Sequence, residues 1–262
     1  MSIRKRTARF AAISCVHCPF ESKDAQEWLL RRLEEDGEQL TDFILLGDLF
    51  ESAAASVHPD EHGHTLADEY EAAACYLTEI VGFLNKKCNL HWLLGNHDDN
   101  IQTKDSRRTD WRTRDLIHWN QSEWSETFRA WRQYPYIKPS IHDQKGCLQL
   151  GQCIFMHGFD AGQNSDELEG LQVAYATGGH AHRLVVRGHT HRPKNVTQCR
   201  RSAKVLLPYW TCNAGTMGPI QPAYMARKDV SQWSPGIVWG EAKVNTPSRF
   251  SAKEWDAHVE TP

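Results

Sequence analysis

Across the first hundred residues, short apolar runs alternate with helical stretches, and each run stops at a cluster of polar residues. Phe10–Ser14 runs into Cys15-Val16-His17. Ser22 is placed to cap a helix whose Trp28, Leu29, Leu30 and Leu33 share one face. Phe43–Leu46 ends at Gly47-Asp48, a second helical stretch covers about Leu66 to Leu84, and Leu90–Leu94 ends at Gly95-Asn96-His97-Asp98. Strand, helix, strand, helix, strand at this spacing demands a parallel sheet, because parallel neighbours need crossover connections. Ligands of such sheets collect at the carboxyl ends of the strands, where all three polar clusters fall.

The rest of the chain changes character. Asn100 to Pro139 is rich in tryptophan (Trp111, Trp119, Trp124, Trp131) and reads as a helical insertion. Those rings are expected to pack in the core, with substrate stacking as the alternative. From Cys147 onward come short strands at Leu148–Leu150, Cys153–Met156, Leu184–Arg187, Val205–Leu207 and Thr211–Asn213, separated by turn residues, which predicts a second sheet packed on the first. After Val244 a tail is expected, ending in a short helix around Glu254. At 262 residues the whole is read as one domain, residues 1–262.

A net charge of -3 argues against strong nonspecific nucleic-acid binding. The basic leader Met1–Arg6 precedes no long apolar run, so neither a signal peptide nor a membrane span is expected. The eight cysteines are scattered and not arranged as a small secreted scaffold, which points to reduced thiols and a cytoplasmic protein. Cys15 and Cys18 form a CxxC without a second pair at zinc-ribbon spacing.

The polar clusters, together with His157-Gly158 and Gly188-His189-Thr190-His191, supply enough His, Asp and Asn for two adjacent divalent metals. Asp48 can bridge both ions with its two oxygens. His17 and His191 suit one metal; Asn96, His157 and His189 suit the other. His97 would then face the substrate and protonate a leaving group, with Asp98 orienting it and raising its pKa. Among the arginines, Arg183, Arg187, Arg192, Arg200 and Arg201 are candidates for phosphate or for a solvated surface. Arg192, beside His191, is the best placed for substrate. His180 and His182 read as exposed loop residues.

This ordered set resembles the calcineurin-like metallophosphoesterase superfamily: Asp-x-His, Gly-Asp-x-x-acid, Gly-Asn-His-acid, His-Gly, Gly-His-x-His. The likeness covers roughly residues 8 to 220 and includes Cys212-Asn213-Ala214-Gly215-Thr216, similar to the family's Asn-x-Gly-Ser turn. It implies an α/β fold, a two-sheet sandwich flanked by helices with the dimetal site at the strand ends. It implies His17, Asp48 and His191 on the first metal, and Asp48, Asn96, His157 and His189 on the second. It places His97 at the phosphate-contacting position and makes Asn96 a substrate neighbour. Cys15 stands where the family has its first aspartate. A ligating thiolate would favour zinc or iron over magnesium or calcium, whereas a non-ligating Cys15 would leave a weakened first site. The stretches around Asp48 and His191 also look like the UDP-diacylglucosamine pyrophosphatase branch. That branch, however, has arginine where this chain has His97 and aspartate where it has Phe159.

The implied activity is hydrolysis of a phosphomonoester, phosphodiester or nucleotide pyrophosphate by hydroxide held between two metals (Zn, Fe or Mn). The expected partner is a phosphorylated small molecule, with a nucleotide among the options and nucleic acid not favoured. A nuclease of the same fold, or a non-catalytic scaffold that retains it, is the alternative.

Overall fold

The computed structural model describes residues 6–52, 64–102, 126–178, 182–199, 208–220, 222, 229–244 and 252–262. Its strands are β1 (Arg6–Ile13), β2 (Asp42–Leu45), β3 (Asn89–Leu93), β4 (Arg132–Tyr134), β5 (Leu148–Leu150), β6 (Cys153–Phe155), β7 (Leu184–Arg187), β8 (Lys194–Cys199), β9 (Tyr209–Asn213), β10 (Ile237–Val244) and β11 (Trp255–Glu260). The helices are α1 (Lys23–Asp36), α2 (Leu66–Gly82), α3 (Asn96–Gln102), the single turn α4 (Glu126–Arg129) and α5 (Ser165–Ala176). One sheet runs β11-β10-β1-β2-β3-β4, parallel from β1 to β4, with β10 and β11 added antiparallel. The other runs β5-β6-β7-β9-β8, with β6, β7 and β9 parallel.

Alternation along the strands explains how the layers stack. Ala11 and Ile13 of β1, Phe43 and Leu45 of β2, and Trp92 of β3 face outward onto Leu29 and Leu33 of α1 and Tyr76, Leu77 and Ile80 of α2. Their neighbours Ala8, Phe10, Ala12, Ile44 and Leu93 face inward and meet Phe155, Leu184 and Val186 of the second sheet. Ile154 and Val185, on that sheet's outer side, pack on Val173 and Ala174 of α5. The result is helix, sheet, sheet, helix, the flanked two-sheet sandwich. The expected helix starts also hold: Ser22 Oγ accepts from the Ala25 amide at 3.3 Å, and Thr65 and Asp68 form a capping box on α2.

Some expectations need correction. The tail after Val244 does not end in a helix; Trp255–Glu260 pairs with β10 and completes the sheet edge, turning Trp255, Ala257 and Val259 inward at period two. Arg132–Tyr134, within the stretch read as helical, is a strand. Trp131 is core, 6.0 Å from the Phe43 ring. Trp111, Trp119, Trp124 and the Val205–Leu207 strand lie outside the described residues.

Candidate metal centre

The carboxyl ends of β1, β2 and β3 meet those of β6 and β7 at one edge of the sandwich, and the polar motifs sit in the loops just beyond. Seven non-glycine residues among those described take positive φ, and five of them lie in these loops: Cys15 (56°), His17 (58°), Asp48 (53°), His189 (70°) and His191 (60°). A left-handed side-chain-bearing residue costs roughly 1–3 kcal/mol and persists where the surroundings over-determine it. The sharp turns aim successive donors at one point. Gly47, at φ 91°, is required too: a Cβ there would lie 2.6 Å from His157 Nδ1.

Two sub-clusters result. His157 Nε2 lies 3.1 Å from Asp48 Oδ2, 3.2 Å from Asn96 Oδ1 and 3.2 Å from His189 Nδ1. His17 Nε2 lies 3.3 Å from His191 Nε2 and 4.0 Å from Asp48 Oδ2. Cys15 Sγ falls within 4.8 Å of the donor atoms of His17 and His191, and likewise of those of Asp48 and His157. Asp48 therefore stands between the two sub-clusters, and the chain brings together all seven residues read as ligands.

Whether these groups suit a cation follows from where the protons must be. His157 Nδ1 donates to the Leu46 carbonyl at 2.5 Å, since a carbonyl only accepts, which leaves Nε2 as the nitrogen turned into the cluster. That nitrogen faces the oxygens of Asp48 and Asn96. Likewise His17 Nδ1 donates to Glu51 Oε2 at 2.8 Å, which turns its Nε2 toward His191. The buried His191 Nδ1 has no hydrogen-bond partner among the described residues. Burial, and then His157, lowers the His189 pKa to about 3, and burial with His17 beside it holds His191 well below its ordinary range. Both rings are thus neutral donors. Burial would raise Asp48, but His157, His97 and His17 hold its carboxyl well below the usual range. Imidazole nitrogens, an amide oxygen and a buried carboxylate converging on one point are a donor set that suits a metal.

Cys15 is fully buried with Ser14 Oγ 3.0 Å from its sulfur. Burial, then the Asp48 carboxylate, pushes its thiol well above the ordinary value. A thiolate here needs a positive charge beside it.

His97 differs from the ligand candidates in being partly open, with a side-chain exposure of 19%. Its Nδ1 donates to the Glu51 carbonyl at 2.7 Å, and Glu51 Oε2 is 3.7 Å away. Burial lowers its pKa, but the Asp48 and Glu51 carboxylates outweigh that and raise it. Glu51, which carried no role in the sequence reading, therefore holds both His17 and His97. Its signal was the acid of Gly-Asp-x-x-acid.

Asp98 does not orient His97. Its carboxylate accepts from the backbone amides of Asp48 (2.8 Å), Leu49 (3.0 Å), Phe50 (3.2 Å) and Gly95 (2.9 Å) and from Trp92 Nε1 (3.3 Å). Burial and the nearby Asp48 charge raise its pKa to about 6, against the pull of those amides. Asp98 is a clamp that sets the Asp48 loop.

The arginines are also placed differently from expectation. Arg187 is fully buried, bonded to Glu169 Oε2 (2.9 Å) and the Asp160 carbonyl (2.7 Å), with Asp166 Oδ1 at 3.4 Å. Glu169 in turn accepts from the Phe159 and Asp160 amides, so the loop after His157 is fixed by a buried ion pair. Gly158 (φ 114°) leaves room for the guanidinium, 2.6 Å from where its Cβ would be. Arg183 is buried on the Gly151 and Thr177 carbonyls. Arg192 stands beside His191 but bonds the Ala161 and Gly162 carbonyls. His182 stacks on Trp210 away from the cluster, and His180, Arg200 and Arg201 lie outside the described residues. Asn213 ties Asp166, the Gly188 carbonyl and Thr190 together, and Thr216 Oγ1 donates to the Cys15 carbonyl. That turn joins the first and last motifs.

None of the eight cysteines is disulfide-bonded, and no helix among the described residues is long and apolar enough to cross a membrane.

The model of the calcineurin-like phosphoesterase family matches residues 8–193. No curated protein matches the chain. Similar solved structures include a hypothetical protein from Pyrococcus horikoshii (12% identity, TM-score 0.47, covering 97% of this chain and 89% of that one). Another is a hypothetical protein from Thermus thermophilus (15%, 0.43, 97% and 100%). A third is a structure described as a novel phosphatase from Mycoplasma pneumoniae (14%, 0.43, 98% and 95%).

Proposed function

The chain belongs to the calcineurin-like phosphoesterase family, and from that membership we propose that it is a dimetal phosphohydrolase acting on a phosphomonoester, phosphodiester or nucleotide pyrophosphate. The observation that carries this reading is the convergence of His17, His191, His157, His189, Asn96 and Asp48. Cys15, His17, Asp48 and His191 would hold one ion, and Asp48, Asn96, His157 and His189 the other. When bound, the two ions supply charge neutralisation for a phosphoryl group and acidify a water. The divergent element is Cys15, whose soft sulfur selects zinc or iron for the first position.

The chain's own groups do the rest. His97, partly open at the rim and with Nδ1 committed to Glu51, has Nε2 to carry a proton to a departing oxygen. The Asp98 clamp and the Glu169–Arg187 pair hold the donor loops in place before substrate arrives.

The test is elemental analysis of purified protein followed by a panel of aryl phosphoesters. Two metals per chain, loss of turnover on chelation and recovery with a transition metal are expected. Asp48→Asn should lower occupancy at both positions, because one carboxylate serves both. Full turnover in metal-stripped protein, or unchanged metal content in that variant, refutes the reading.

A further inference from the structure

Trp233 is a large aromatic that the mechanism above does not use. Its ring meets His191 nearly edge-on, with centroids 4.2 Å apart and planes at 65°. It is partly exposed and meets no other aromatic ring among the described residues. The loop that presents it is pinned at Ser234, the residue after the indole. The Trp233 amide donates to Val230 O (2.9 Å), the Ser234 amide to His191 O (3.2 Å), and the Thr216 amide to Ser234 O (3.1 Å). Thr216 and Met217 are themselves tied to Cys15 O. The indole is thus fixed by the same turn that fixes Cys15 and His191.

On the other sub-cluster, Tyr136 lies 5.8 Å from the His157 ring, but its face is taken by Phe159, stacked at 4.5 Å and 17°. Trp233 has no such partner among the described residues. A residue needed only to shield His191 from water could be any buried apolar side chain. A rigid indole left partly open beside a phosphoryl-binding cluster offers a flat π-face, to which flat aromatic rings stack.

Resting on the phosphohydrolase reading, we propose that Trp233 is the stacking surface for a flat aromatic ring carried by the substrate, a nucleobase being its natural form. The preferred substrate class is then a nucleoside phosphoester over an alkyl one. Trp233 sets specificity and takes no part in bond breaking.

The experiment compares two diesters with the same leaving group, thymidine 5′-(p-nitrophenyl phosphate) and methyl p-nitrophenyl phosphate, on metal-loaded wild type, Trp233→Leu and Trp233→Phe. One base–aromatic stack changes affinity by roughly 5- to 150-fold. The wild-type preference in kcat/KM for the thymidine ester should fall by that factor in Trp233→Leu and survive largely in Trp233→Phe. A second arm needs no turnover. Calorimetric affinity for thymidine 5′-monophosphate relative to methyl phosphate should fall by the same factor in Trp233→Leu, with metal content unchanged. An unaltered preference in both arms, or a loss that follows lost metal, overturns the proposal and makes Trp233 a prop for His191. If wild type cleaves neither ester, the phosphodiesterase form of the reading has failed, and the binding arm alone decides the stacking.

Discussion

Replacing Glu169 of α5 with leucine should be among the most destabilising single changes in the second half of the chain, and the structure allows the cost to be worked out. Glu169 is fully buried. Burial pushes its carboxyl above the usual range, and the Arg187 charge and the Phe159 amide oppose that. Removing it leaves the fully buried Arg187 guanidinium with Asp166 at 3.4 Å and one carbonyl, and strips the Phe159 and Asp160 amides of their acceptor. Breaking a buried pair from one side costs about 3–5 kcal/mol. The remaining contacts to Arg187 pull toward the lower figure and the orphaned amides toward the higher, so about 4 kcal/mol is expected. For a chain of this size that is a fall in Tm of roughly 8–16 °C. The double variant Glu169→Leu/Arg187→Leu removes the stranded charge and should recover about 2 kcal/mol of the loss, leaving the cost of the amides. Urea unfolding of metal-free wild type, both single variants and the double variant gives the cycle. A loss under about 1 kcal/mol in Glu169→Leu, or a double variant as unstable as the summed singles, would refute the buried clamp.

Three further outcomes are expected. Cys15→Asp should shift metal preference from zinc or iron toward manganese or magnesium and remove sensitivity to oxidants; identical titrations and oxidant tolerance would mean that Cys15 does not ligate. Glu51→Ala, which frees His17 Nδ1, should weaken metal affinity by roughly 10–100-fold in a chelator competition, and no change would exclude its orienting role. Asp42 lies far from the cluster, bonded to His91, Thr41, Asn89 and Arg6; burial would raise its pKa, but those partners hold it below the ordinary carboxylate range. A depressed folded pKa contributes stability above the unfolded value near ~3.9 that is lost as pH falls through the folded one. Asp42→Asn should therefore flatten the decline in urea midpoint below about pH 4, and an unchanged slope would remove Asp42 as its source.

Much of this architecture could be read in advance because the informative signals were local. Apolar runs ended where β1, β2 and β3 end, and the motif loops followed directly. What could not be read depended on direction or on distant partners. His97 and Asp98 are adjacent, but they open a helix, where successive side chains point different ways, so Asp98 turns to the Asp48 loop and His97 to Glu51. Arg187 and Arg183 look like surface cations because charge is seldom buried unpaired. The acids that bury Arg187 sit on α5, a helix whose weak patterning gave no sign of it. Trp255–Glu260 is a strand only because β10 is there to pair with it, although Trp255, Ala257 and Val259 carried the period-two signal.

The donor cluster also constrains the order in which a newly made chain can mature. Each half draws on both sheets: His17 faces His191 across 174 residues of sequence, and His157 is fixed by Leu46, 111 residues earlier. An N-terminal segment emerging from the ribosome carries Cys15, His17, Asp48 and Asn96 but neither closing histidine pair. It offers an incomplete grip and little reason to seize a passing ion. Tight capture waits until the second sheet has been synthesised and docked. Metal loading is then a late event, and a filled centre certifies that the two halves have found each other.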